Sequence, residues 1–77
     1  MRLEIISPEK TLFSGDVELV TLPGMAGKFT ILNNHAPIIS SLIAGRLTYR
    51  AKGEDNELEI SGGFIESKSN TITVCID

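Results

Sequence analysis

The stretch Arg46-Leu-Thr-Tyr-Arg-Ala-Lys-Gly-Glu-Asp-Asn-Glu-Leu-Glu-Ile-Ser61 decides the fold class. Leu47 and Tyr49 alternate with Arg46, Thr48, Arg50 and Lys52. Leu58 and Ile60 alternate with Glu57, Glu59 and Ser61. A period of two puts the apolar side chains on one face of an extended chain and the charged ones on the other, the signature of a strand with one dry face. Gly53-Glu-Asp-Asn56 supplies the turn chemistry of a hairpin between them.

The pattern extends outward. Ile72, Val74 and Ile76 alternate with Thr71, Thr73 and Cys75, after a turn expected at Ser67-Lys-Ser-Asn70. Gly62-Gly63, between Ile60 and Phe64, predicts a bulge or a corner where a strand changes sheets. Towards the N-terminus the alternation loosens. Leu3 and Ile5 alternate with Arg2 and Glu4, but Ile6 breaks the polar face. Val17 and Leu19 share one face, while Val20 and Leu22 make the other apolar too, which predicts a strand covered on both sides. Ile38-Ile-Ser-Ser-Leu-Ile43 fits a short helical turn or another strand. Several short strands and no sustained helical period in 77 residues predict a single all-β domain, a sandwich or small barrel.

From Leu19 to Gly45 the only formal charge is Lys28. Two readings fit. The stretch is buried strands joined by tight turns, or part of it faces another protein. A domain this small, with one cysteine and therefore no internal disulfide, has little core to stabilise it, and a permanent partner would add to the margin. The net charge of −3 with interspersed signs argues against nucleic acid, which requires a basic stripe. Met1 is followed by Arg2-Leu-Glu-Ile-Ile6 and not by a long apolar run, so the expectation is a soluble, intracellular chain without a secretory leader.

Chemistry is sparse. His35 is the only histidine and could serve as a base for a serine, with Asp16 or Asp55 to orient it. A loop histidine beside Ala36-Pro37 more often bonds to backbone or packs at a contact surface. Cys75 lies opposite the core-facing set of its strand, with no neighbouring cation to activate it. Gly24-Met-Ala-Gly27 lacks the lysine and helix of a phosphate-binding loop. Glu54, Asp55, Glu57 and Glu59 read as solvated charge at a hairpin tip and on a wet face, not as metal ligands. No catalytic, metal or cofactor site is expected. The other class kept open is a small-molecule-binding β-sandwich or barrel whose uncharged loops form a pocket mouth.

The landmarks Ser7-Pro8-Glu9, Leu12-Phe13-Ser14-Gly15, Leu22-Pro23-Gly24, Gly27-Lys-Phe-Thr-Ile-Leu32, His35-Ala36-Pro37-Ile38, Gly45-Arg-Leu47, Ser61-Gly62-Gly63-Phe64-Ile-Glu66 and Asn70-Thr-Ile-Thr-Val74 follow one another in this order. The series resembles the N-terminal domain of the epsilon subunit of F-type ATP synthases over essentially all of residues 1–76. The resemblance implies a flattened β-sandwich of about ten short strands. It also implies a non-catalytic place in the central stalk of a complex with alpha and beta subunits, on the cytoplasmic face of the membrane. Ser7, Pro8, His35, Ala36, Pro37 and Ile38 match regions near the gamma subunit. Met25, Ala26, Gly27 and Lys28 match the loop near the c-ring, although the family often carries an acid or another polar residue where Lys28 stands. Most members continue as a two-helix hairpin that carries nucleotide sensing and inhibition of hydrolysis. This sequence stops at Asp77, so the expectation is one domain, 1–77, that couples rotation without hairpin-borne inhibition.

Overall fold

The computed structural model describes residues 1–77 and contains seven strands and no helix. They are β1 (Arg2–Ile6), β2 (Thr11–Asp16), β3 (Leu19–Gly24), β4 (Gly27–Leu32), β5 (Ile38–Ala51), β6 (Glu54–Lys68) and β7 (Thr71–Ile76). They form one sheet in the order β2-β1-β7-β6-β5-β3-β4. All pairs are antiparallel except β1 with β7.

This sheet cannot be flat. β2 and β3 stand five places apart in it, about 24 Å at ordinary strand spacing. Only Val17 and Glu18 join them, a span of about 11 Å at full stretch from Asp16 to Leu19. The sheet therefore rolls until its ends meet. Two hydrogen bonds link Val17 to Met1, one from the Val17 N–H to the Met1 carbonyl (2.8 Å) and one from the Met1 ammonium to the Val17 carbonyl (3.2 Å). The Glu18 N–H donates to the Arg50 carbonyl (2.8 Å), and the Glu18 carboxylate accepts from the Gly53 N–H (2.7 Å). Phe13 on β2 meets Tyr49 on β5 with ring centroids 4.4 Å apart.

Rolling makes two layers around a single core. Leu3, Ile5, Ile65, Ile72 and Val74 come from one side, and Val20, Leu22, Ile31, Leu47 and Ile60 from the other; all belong to one buried cluster. Each such side chain contributes roughly 1.5–3 kcal/mol by leaving water. The resemblance implied about ten short strands; there are seven because β5 and β6 each serve both layers. β6 pairs with β7 only from Gly63 onward, and β5 pairs with β3 only between Leu42 and Arg50.

The corner lies at the glycine pair. β5 and β6 stay in register from Ile38↔Ser67 to Ala51↔Glu54 without a slip, so the pair makes a corner and not a bulge in this ladder. Across the corner the inward face changes parity. Leu42 is buried, but so is Leu47; Ile60 is buried, but so are Ile65 and Ser67. Gly62 (φ 149°) and Gly63 (φ 146°) hold backbone conformations that other residues rarely adopt.

Both hairpin turns are tighter than the sequence suggests. β5 runs to Ala51 and β6 begins at Glu54, leaving Lys52-Gly53 as the turn. β6 extends through Ser67 to Lys68, leaving Ser69-Asn70. All four turn residues have positive φ, the two-residue geometry whose twist matches that of paired strands. Val17 is not part of β3, so that strand is covered on one face only: Val20 and Leu22 are buried, while Leu19, Thr21 and Pro23 are half-buried. The uncertain Ile38–Ile43 segment is strand.

The outer face of the β5–β6 tip carries a ladder of charge. The Arg50 Nε donates to Asp55 Oδ1 (2.8 Å) and the Arg46 Nε to Glu59 Oε1 (3.2 Å), with Glu57 at 3.7 Å from the same nitrogen. The hydrogen bond from Arg50 holds the Asp55 carboxyl below its ordinary range. A lowered folded-state pKa contributes stability above the unfolded-state value and loses it as pH falls through the folded one. Asp55→Asn is therefore expected to be less stable than the parent at neutral pH, with the gap closing on acidification. Denaturant melts over a pH series check this, and a gap constant with pH would contradict it. A Cβ at residue 63 would collide with the Cys75 carbonyl oxygen, whereas one at Gly53 meets nothing within 4 Å. Gly63→Ala is expected to cost on the order of 3 kcal/mol and Gly53→Ala about 1, measurable by the same melts.

Candidate partner-contact surface

The residues singled out by sequence fall at two ends of one surface. On β5, Ile38 and Leu42 face the core side, so Ile39, Ser41 and Ile43 face outward. On β6, Ile65 and Ser67 are buried, which turns Phe64 and Glu66 outward. The cross-strand register then sets Ser41, Phe64, Cys75 and Ile6 in one row over four strands. Ile39 is 80% exposed, Phe64 51% and Ile43 46%. Large apolar side chains that stay wet together mark a contact face. They lie on the opposite side of the corner from the charged ladder of Arg46, Arg50, Asp55, Glu57 and Glu59.

The His35-Ala36-Pro37 loop enters β5 at one end of this face. His35 Nδ1 lies 3.0 Å from the Ala36 carbonyl oxygen and 3.4 Å from the buried Ser67 Oγ, and its Nε2 is buried without a partner. Asn70 pins the loop from the β6–β7 turn, donating through Nδ2 to Asn33 Oδ1 and accepting the Asn34 N–H at Oδ1, each at 2.9 Å. This is a positioned loop and not a catalytic triad. Ser67 is 2% exposed, Asp55 is engaged by Arg50, and Asp16 sits opposite Arg2 on β1. Ile38 differs from its loop neighbours: it is half-buried and packs on the core, while Ala36 and Pro37 are exposed.

Ser7 and Pro8 border the same face near Phe64. With Ile6, Cys75, Ile76 and Phe64 they line an open groove of about 330 Å³. The Ser7 hydroxyl donates to the Lys10 carbonyl (3.2 Å) and accepts the Glu9 and Lys10 N–H groups (3.4 and 3.3 Å), so it fixes its own turn. Of Ser7 and Pro8, Pro8 is the exposed one. Cys75 is half-buried.

At the other end, Met25, Ala26, Gly27 and Lys28 are all exposed, Met25 at 70%. The Met25 N–H donates to the Ser41 carbonyl (3.1 Å), fastening the β3–β4 turn beside β5. A second open groove of about 330 Å³ lies there. Both grooves are on the outside; the space between the layers is filled by the twelve-residue core cluster, which leaves the small-molecule pocket reading without an enclosed site. Ile39, Ile43 and Phe64 escaped the sequence reading as contact residues. Apolar residues at both parities of Ile38–Ile43 were the available signal.

The family profile described as ATP synthase, Delta/Epsilon chain, beta-sandwich domain matches residues 1–77. The chain is 42% identical over 78 residues to the ATP synthase epsilon chain of Desulfosudis oleivorans, covering all of this chain and 59% of that one. It is 40% identical over 77 residues to the ATP synthase epsilon chain of Leptospira borgpetersenii, covering all of this chain and 61% of that one. It thus spans about three-fifths of the length of these curated relatives. Among solved structures, a chain of the Tetrahymena thermophila mitochondrial ATP synthase central stalk and c-ring superposes with a TM-score of 0.83 at 18% identity, covering 97% of this chain and 61% of that one. A chain of the Euglena gracilis mitochondrial ATP synthase gives 0.90 at 19% identity, covering 96% and 48%. At such identities the structures establish a common fold. Taken with the match along the whole sequence, the chain belongs to the ATP synthase delta/epsilon chain beta-sandwich domain family.

Proposed function

We propose that this chain is the β-sandwich portion of a non-catalytic central-stalk subunit of a proton-translocating F-type ATP synthase. It docks on the gamma subunit by the outer face of β5, β6, β7 and β1, with Pro8 and the His35–Ile38 loop at its margins. It turns Met25–Lys28 towards the c-ring at the cytoplasmic membrane surface. The supporting observation is the exposed apolar set Ile39, Ile43 and Phe64, lying between loops that the family places near two different partners. Covering those three side chains would stabilise an interface by roughly 1.5–3 kcal/mol each before the costs of association.

Coupling in this reading is mechanical. The chain binds one partner along a sheet face and another at a turn, and the close-packed core between transmits load with little compression. Every element is tied into one sheet, so the two contact regions belong to one hydrogen-bonded unit. No residue needs to perform chemistry.

Two adjacent substitutions test the reading, because Ile38 and Ile39 point in opposite directions. Ile39→Asp is expected to leave unfolding unchanged within about 0.5 kcal/mol and to weaken capture by purified gamma at least tenfold, about 1.4 kcal/mol. Ile38→Asp puts a charge against the core and is expected to lower stability by about 2–4 kcal/mol. Denaturant melts and gamma pull-down measure the two effects. Normal gamma capture by Ile39→Asp would refute this docking face.

A further inference from the structure

We infer that Asn70 is a positioning residue for the gamma contact: through its side chain the β6–β7 turn holds the loop of residues 33–37 in the form that meets the partner. The inference rests on the stalk reading above and deepens it, adding a residue that is not among the contacts.

The loop has little order of its own. Outside the strands the chain makes six backbone–backbone hydrogen bonds, and none involves residues 33–37. Side chains hold the loop instead. Asn70 Oδ1 accepts the Asn34 N–H and Asn70 Nδ2 donates to Asn33 Oδ1, each at 2.9 Å. His35 adds a longer approach to Ser67, at 3.4 Å. Asn70 and Ser67 both belong to the β6–β7 hairpin, so the loop is moulded on that hairpin.

The residue chosen for the turn points the same way. A two-residue hairpin turn needs positive φ at both places, which glycine supplies at least cost. The Lys52-Gly53 turn has glycine in its second place. The Ser69-Asn70 turn has Asn70 there, at φ 60°. Glycine would satisfy the backbone equally well. Asparagine adds an amide that accepts and donates at once, and both functions go to the loop. The Asn70 carbonyl also accepts the Arg2 N–H (3.1 Å), which ties the start of β1 to the same residue. A loop held in advance loses less conformational freedom when a partner covers it. Asn70 thus strengthens binding without touching gamma.

The test compares the parent chain with Asn70→Gly, which keeps the turn and removes the amide, and with Asn70→Asp. An aspartate still accepts the Asn34 N–H, and the Asn33 amide can turn over to donate to its second oxygen. Amide hydrogen exchange reports loop order, and titration with purified gamma reports affinity. For Asn70→Gly the Asn34 amide is expected to exchange about tenfold faster or more, with the Ile65 amide in the core unchanged. Its gamma affinity should fall about fivefold. Asn70→Asp should stay within about twofold of the parent in both measurements. Unaltered gamma affinity in Asn70→Gly overturns the inference. So does unaltered Asn34 exchange, equal acceleration at Ile65, or equal weakening by both variants. Failure of the parent to bind gamma would overturn the stalk reading and this inference with it.

Discussion

Val17 and Glu18 are all that separate β2 from β3, yet the two strands stand near opposite edges of the sheet. That short tether closes the molecule. Because the ends must meet, the sheet rolls, its two halves face each other, and apolar faces that would each be half-wet become one core. The groups flanking the tether are used twice: Val17 is buried and bonded to Met1, and Glu18 reaches both Arg50 and the Gly53 turn. β5 and β6 bear the consequence. They are the strands long enough to pass from one layer to the other, and Gly62-Gly63 is where the passage is made.

The same bend sorts the outer surface. On one side of it the long hairpin presents Arg46 and Arg50 against Asp55, Glu57 and Glu59, a face content in water, where such pairs add little stability. On the other side the outward positions are Ile39, Ile43 and Phe64. One pair of strands thus carries a solvated face and a sticky face in succession, and the parity change at the corner allows it. Without that change, a single alternation along β5 would put Ile43 and Leu47 on the same face.

The fold class was legible because the second half of the chain obeys simple alternation wherever one face is dry. Leu47, Tyr49, Leu58, Ile60, Ile72 and Val74 all lie where a period of two puts them. Legibility failed where two periods meet. Ile38–Ile43 has apolar residues at both parities because one set meets the core and the other the outside, and such a pattern does not separate strand from turn. The run from Val17 to Leu22 misled for a related reason: Val17 is buried from the tether and not from β3. The parallel pairing of β1 with β7 left no local trace, since nothing in Arg2–Ile6 specifies a partner some seventy residues away. Of the contact surface, the loops at its ends were reached through resemblance. Its middle, Ile39, Ile43 and Phe64, needed the register.

The β1–β7 pairing also orders events during synthesis. Residues 2–6 leave the ribosome long before their partners at 71–75 arrive. Until then Leu3 and Ile5 have β2 on one side and no neighbour on the other, and the core stays open along that seam. The long β5–β6 hairpin, joined by a two-residue turn, is the part whose contacts are local enough to form early. β7 then slots between β6 and β1, so the nascent chain exposes a matched pair of strand edges until β7 has been made. In that interval an unrelated strand could pair there, which makes this seam the place where misassembly would begin.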